Sequence, residues 1–320
     1  MARRRTVLKE SCKYTIAERF EEYICEKRAR NLAPKTITCY MESFDKFGLV
    51  IDTSMYVNDL TSKDIDEFAT YMLEEDISES SINHYLRDIK AFVNWCIKNN
   101  YIENGFKIEL IRYQETQKEP YTDEEIMKLL EPPKDKKNFV ELRTFTMIQW
   151  ILATGNRIST IVNIKNKDID FKNKTITLTH TKNRKLQVIP LSDNLAKAVR
   201  SYQKKISKMG ITSEYLFFNV YGEKLTTNAI KQALRDYNLA RGVSKTSAHL
   251  LRHTFAKNYI SQGGDCMALQ KILGHSTITM TRKYVNLCTA DLQKNFDSFC
   301  LLDRVSSPNS GKRRVTTLAS

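Results

Sequence analysis

Residues 174–190, KTITLTHTKNRKLQVIP, change the rhythm of the chain. Thr175, Thr177 and Thr179 alternate with Ile176 and Leu178, a polar run follows, and Leu186-Gln-Val-Ile-Pro190 closes the stretch. Alternation with period two on both sides of a polar turn predicts a β-hairpin, because successive strand side chains point to opposite faces. On either side apolar residues return every three or four positions, the mark of amphipathic helices. A single hairpin in a field of helices sets the fold class as mainly α with a small β-hairpin or sheet. Ten glycines and six prolines in 320 residues agree, since so few turn formers do not suit an all-β protein.

Working toward the N-terminus, an apolar helix runs from about Val140 to Ala153 and stops at Thr154-Gly155, with glycine at the C′ position. Thr122-Asp-Glu-Glu125 before it reads as a capping box whose acids favour the positive helix start. Periodicity fades over 101–120, YIENGFKIELIRYQETQKEP. Upstream lie four apolar stripes: Ile16 to Ile24, Ile37 to Phe47 after Pro34, Ile65 to Met72 behind the Thr61/Asp64 box, and Tyr85 to Cys96 after Ser81. Four amphipathic helices suffice for a small all-α domain. Lys27, Arg28, Arg30, Lys35, Arg87 and Lys90 dot them, serving equally as a solvated face or as phosphate contacts.

Past the hairpin, helices are expected at about 192–207, 226–241, 247–262, 265–273, 276–285 and 289–302. Residues 306–320, SSPNSGKRRVTTLAS, are polar, basic and without period. The expected organisation is a basic segment 1–13, a helical domain 14–103, a linker 104–119, a second domain 120–303 and a basic tail 304–320.

Charge narrows the function. Lys plus Arg exceed Asp plus Glu by 51 − 37 = 14, which points to a polyanionic partner, nucleic acid before membrane. Phe145 to Ala153 is the longest apolar stretch, too short to span a bilayer, and no apolar run follows the basic start as in a secretory signal. Seven scattered cysteines without a C-x-x-C pattern fit reduced thiols in a cytoplasm better than a disulfide framework or zinc ribbon. His249 and His253 stand four apart on a predicted helix, as paired zinc ligands do. Leu250 then occupies the place of the general-base Glu in a zinc protease, and no third ligand cluster lies nearby. The only paired glycines are Gly263 and Gly264, and no phosphate-binding loop motif occurs.

Five separated pieces remain: Arg157 after ATGN, Lys182 in THTKNRK, His249 and Arg252 in AHLLRH, His275 in LGHS, and Tyr284 in RKYVN. The order and spacing of ATGNRISTIVNIKNKDID (153–170), a lysine eight residues before Pro190, HLLRHTFA (249–256), LGHS and a tyrosine nine residues after His275 resemble the tyrosine recombinase (phage integrase) family. The likeness is greatest to its Xer-type members and covers most of the chain.

That resemblance implies a two-domain architecture, a helical core-binding domain followed by a mixed, mostly helical catalytic domain. It implies site-specific DNA recombination through a 3′-phosphotyrosyl intermediate, with no metal and no ATP. Arg157 and Arg252 would stabilise the phosphorane, as fixed guanidinium forks suit developing phosphoryl charge. Lys182 would protonate the leaving 5′-oxygen, His249 and His275 would bind the phosphate with His249 placed to take the tyrosine proton, and Tyr284 would attack. The family usually carries an acid three positions after the first arginine, where this chain has Thr160.

By the same resemblance the partners are double-stranded recombination sites, held by a homotetramer on two DNA sites. The last helix, with Leu292, Phe296 and Phe299 on one face, is the expected protomer contact, and there is room for a partner recombinase or a DNA-bending factor. With only residues 1–13 ahead of the first helix, no arm-binding extension is expected. That favours integration or excision, inversion, or dimer resolution on a mobile element, plasmid or chromosome in a bacterial cytoplasm. A type IB topoisomerase-like enzyme and a non-catalytic DNA-binding relative stand as alternatives.

Overall fold

The computed structural model describes residues 14–114, 119–135, 138–179 and 186–285. The chain divides into two compact units, Met1–Thr116 and Gln117–Ser320.

The first unit is built from α1 (Ile16–Ala29), α2 (Pro34–Phe47), α3 (Ser62–Glu74) and α4 (Glu79–Lys98). The first three starts have local causes. Thr15 and Glu18 cap one another's main chain at α1, Pro34 supplies a preset φ at the first turn of α2, and Thr61 with Asp64 closes the box at α3. α4 begins at Glu79, with Ser78 at the N-cap, a few residues ahead of the start expected at Ser81. α2 and α4 pack most extensively. Aromatic residues of α1, α2 and α4 form the centre: Phe20 and Phe44 stack at 3.7 Å, and the Phe92 edge meets both.

Over 104–114 the backbone is not helical, yet it docks on α4. The Asn83 side chain, buried, donates to the Ile111 carbonyl and accepts from the Ile111 amide, both at 2.8 Å, while Ile108 enters the core. A side-chain amide satisfying a strand-like main chain leaves no periodicity to read, so this packing was invisible in the sequence.

In the second unit come α5 (Asp123–Leu129), α6 (Phe139–Thr154), α7 (Ile158–Ile161), β1 (Ile169–Asp170), β2 (Thr175–Leu178), β3 (Gln187–Pro190), α8 (Asp193–Lys208), α9 (Thr227–Leu239), α10 (Ala248–Ser261), α11 (Cys266–Leu273) and α12 (Thr279–Val285). α6 is apolar on nearly every side, burying Leu142, Met147, Ile148, Trp150 and Ile151, and α8, α9 and α10 pack around it. The hairpin is antiparallel, pairing Thr175 with Pro190 and Leu178 with Gln187. β1 adds a third strand beside β2; at two residues it is too short to show alternation, which is why the sequence showed only the hairpin. α7, one turn long, escaped notice for the same reason.

The expected helix at 289–302, with Leu292, Phe296 and Phe299, lies outside the described residues, as do Lys182 and both terminal segments. Among the described residues no helix is long and apolar enough to cross a membrane.

Candidate active site

Two left-handed helix stops shape the site. α6 ends at Gly155, φ 63°, whose amide donates to the Ile151 carbonyl at 2.8 Å. A Cβ there would fall 2.5 Å from Phe255 and 2.6 Å from Leu273, so the position requires glycine for space as well as for conformation. Two residues on, Arg157 is the N-cap of α7, which turns its side chain back toward α11. α11 ends at Gly274, φ 61°, and the chain then presents His275. Arg252 comes from the middle of α10, and Tyr284 from α12.

The arginines meet at one carbonyl. Leu273 O, at the end of α11, accepts from Arg157 Nη1 at 3.2 Å and from Arg252 Nη2 at 2.9 Å. Arg252 also donates through Nη1 to Gly155 O at 2.6 Å, and its Nη2 lies 2.8 Å from His275 Nε2. The carbonyl end of a helix carries partial negative charge, so α11 anchors both guanidiniums without a carboxylate. Among the described residues neither arginine has an acidic partner within ion-pair distance. Burial depresses both, and for Arg252 burial and then the charge of Arg157 push it down to about 10, against the neighbouring Tyr284 hydroxyl, which acts the other way. At neutral pH both stay cationic, leaving two partly desolvated positive charges that an anion would complete.

The state of His275 follows from its neighbours. A guanidinium offers only donors, so Nε2 accepts from Arg252 and the ring proton sits on Nδ1, which donates to Thr281 Oγ1 at 2.8 Å. Burial first, then the charges of Arg252, Arg157 and His249, push the imidazole down to about 4. Between that value and the ordinary 6.5 the unfolded chain binds the proton and the folded chain does not. This contribution to stability is complete above about pH 6.5 and is lost as pH falls toward 4. A His275→Gln protein should therefore lose less stability than wild type on going from neutral to acid pH, read as urea midpoints across that window. Equal losses in the two proteins would remove His275 from the account.

Tyr284 is 5% exposed, packed between two imidazoles: His275 lies parallel at 6.3 Å and His253 meets it edge-on at 4.9 Å. Of the six candidates, Arg157, Arg252, His275 and Tyr284 are thus brought together. His249 stands on the exposed face of α10, one turn before His253, close enough for its charge to bear on both His253 and His275. It borders a groove of about 490 Å³ that Asn228, Lys231, Gln232 and Arg235 of α9 also line. Lys182 lies outside the described residues. Thr160 is buried in α7, its amide bonded to Arg157 O at 2.9 Å.

Sequence reasoning missed three contributors. His253 reads in the sequence only as a metal ligand, Thr281 has no signal beyond lying six residues after His275, and the carbonyl of Leu273 has no sequence signature at all. Among the described residues no group of three or more His, Cys, Asp or Glu side chains gathers as for a metal ion.

The second unit is mostly helical with a small sheet, and it gathers two arginines, histidines and a tyrosine. The sequence model of the phage integrase family matches residues 121–290, and that of the phage integrase N-terminal SAM-like domain matches residues 16–103. The chain belongs to the phage integrase family, as a Xer-like tyrosine recombinase, an enzyme of site-specific DNA recombination.

It is 26% identical over 292 residues to the tyrosine recombinase XerC of Pediococcus pentosaceus, covering 88% of this chain and 96% of that one. It is 26% identical over 294 residues to XerD of Staphylococcus haemolyticus, covering 89% and 98%. In fold it resembles the Tn1549 transposon integrase solved with transposon right end DNA, with a TM-score of 0.72, 22% identity and coverage of 88% and 99%. It also resembles a lambda integrase fragment solved as a dimer on a core site, with a TM-score of 0.67, 18% identity and coverage of 83% and 97%.

Proposed function

We propose that this recombinase cuts and rejoins DNA through a 3′-phosphotyrosyl intermediate on Tyr284. The observation that carries the reading is the pair of guanidiniums, Arg157 and Arg252, held on the Leu273 carbonyl beside the Tyr284 hydroxyl with no acidic partner among the described residues. A scissile phosphate seated on these forks supplies the missing negative charge, and the phosphorane formed on attack draws more from them than the ground state does.

In this mechanism Tyr284 Oη bonds to phosphorus as the bond from phosphorus to the 5′-oxygen breaks. The tyrosine proton passes to His249, and Lys182 gives a proton to the departing 5′-oxygen. His275, its Nε2 accepting from Arg252, keeps the guanidinium oriented, and it meets the phosphate as a donor once its ring proton moves to Nε2. The phosphotyrosyl bond conserves the energy of the phosphodiester, so a 5′-hydroxyl from another strand reverses the step without ATP.

DNA lies across the groove bordered by Lys231, Arg235 and His249 in this reading, with 14–103 as the core-binding domain, 104–119 as the linker and 120–303 as the catalytic domain. The net charge of +14 favours such contacts and makes them salt-dependent. A lambda integrase has been solved as a tetramer on a Holliday junction. By analogy four copies of this chain act on two sites, with Leu292, Phe296 and Phe299 as the protomer contact. Integration or excision, inversion and dimer resolution are the outcomes such an assembly serves.

The test is a covalent trap. The protein is incubated in EDTA with labelled duplexes tiled across its gene's flanks, each series carrying nicks that let the cut end diffuse away. A protein-linked band resistant to denaturant, joined through the 3′ end, is expected on one fragment. Sequence-selective binding to a fragment without any adduct would overturn the catalytic reading in favour of a DNA-binding role.

A further inference from the structure

Gln187 is the last residue of the β2–β3 ladder before the connection that contains Lys182, five positions earlier in the chain. β3 alternates cleanly: Ile189 points into the core, Val188 is exposed, and Gln187 lies on the same face as Ile189. Its side chain reaches the end of α11. Nε2 donates to the Ile272 carbonyl at 2.8 Å and to that of Lys271, 85 and 84 residues away. The amide lies over Gly274, where a Cβ would come within 2.8 Å of Oε1. The next carbonyl along, Leu273 O, is the one both arginines hold, and His275 lies two residues on.

We infer that Gln187 is a positioning residue that locks the strand leading to the hairpin lysine onto the α11 terminus that anchors the arginines and His275. The inference rests on the reading of Lys182 as the proton donor. Its physical basis is that the last carbonyls of a helix lack partners within the helix, so a side-chain donor there satisfies them and fixes whatever carries it. Two donations from one amide define both distance and direction. Without them β3 keeps its ladder to β2 and the burial of Ile189 but loses both bonds to the end of α11. A shift of about 1 Å at a reacting group costs on the order of 10²-fold in rate.

The experiment compares Gln187→Met, Gln187→Glu and Lys182→Ala with wild type in single-turnover cleavage of the nicked fragment found by covalent trapping. Each is assayed on ordinary DNA and on DNA with sulfur in place of the bridging 5′-oxygen. A thiolate leaves without protonation, so the sulfur substrate restores a protein whose only defect is proton delivery. It does not restore one whose fold or phosphate clamp is damaged. Met keeps the length of Gln187 without its donors, and Glu keeps its shape while turning the donor into a charge that the carbonyls repel.

Expected are losses of about 10- to 100-fold on ordinary DNA for both Gln187 variants, recovery to the wild-type rate on the sulfur substrate, and unchanged DNA binding. Recovery of Lys182→Ala without recovery of the Gln187 variants would overturn the role of Gln187 and leave Lys182 as the donor. No recovery of Lys182→Ala would overturn the reading of Lys182 itself. Wild-type cleavage of ordinary DNA by both Gln187 variants would also overturn the inference.

Discussion

Tyr284→Phe is expected to form no covalent adduct while binding the trapped DNA fragment as wild type does. The substitution removes one oxygen and leaves the ring where packing puts it, edge-on to His253 at 4.9 Å and parallel to His275. Because the side chain is 5% exposed, most of its contribution to folding comes from those ring contacts, which phenylalanine keeps. What is lost is the hydroxyl oxygen that the proposed mechanism bonds to phosphorus. Removing a nucleophile costs several orders of magnitude, so adduct formation should fall by more than about 10⁴-fold, below detection on a denaturing gel. The hydroxyl also helps Arg252 hold its proton, so the variant leaves that guanidinium slightly more acidic but still charged at neutral pH. An adduct of wild-type yield from the Phe protein would place the nucleophile on another residue.

The second large effect is expected at Arg252, where lysine keeps the charge and loses the geometry. One fork serves three acceptors: Gly155 O at 2.6 Å, Leu273 O at 2.9 Å and His275 Nε2 at 2.8 Å. These hold the end of α6, the end of α11 and the imidazole in one arrangement. A lysine ammonium has donors but no planar fork, and cannot satisfy the three at their fixed directions while also meeting a phosphate.

Burial and the Arg157 charge, which push the arginine down to about 10, would act on a lysine that starts two units lower. Part of the population is then neutral near physiological pH. Loss of one oriented transition-state donor costs about 10² to 10³ in rate, and partial neutralisation adds to it. Arg252→Lys should thus cleave about 10³-fold more slowly, with a rate that rises as pH is lowered from 8 to 6.5, opposite to the expectation for loss of a general base. Cleavage within about tenfold of wild type, or no such pH dependence, would show that charge alone suffices at this position.

Several features were legible because their causes are local. The capping residues Thr122 and Glu125 lie three apart and form the box their spacing promised. Gly155 stops α6 where the apolar run ends, and the threonine and isoleucine alternation over 175–178 became β2 with Ile176 and Leu178 buried. The family resemblance is carried by the order and spacing of ATGNRISTIVNIKNKDID, the hairpin Lys182, HLLRHTFA, LGHS and Tyr284. Harder to read were β1 and α7, too short to establish a period, and the docking of Ile108 and Ile111 on α4, which depends on the Lys90 ammonium 18 residues from Ile108 and the Asn83 amide 28 residues from Ile111.

The sequence by itself determined the helical class, the hairpin, the family and the chemical identity of the candidate groups, since capping, alternation and charge act between near neighbours and are written in residue types. Only the tertiary structure decided how those groups are held. Arg157 and Arg252 share the carbonyl of Leu273, Gln187 closes on the carbonyls of Lys271 and Ile272, and His275 is kept neutral by burial beside two guanidiniums. Every residue carries the same carbonyl, and burial belongs to a place in the fold, so neither leaves a mark on the order of the amino acids.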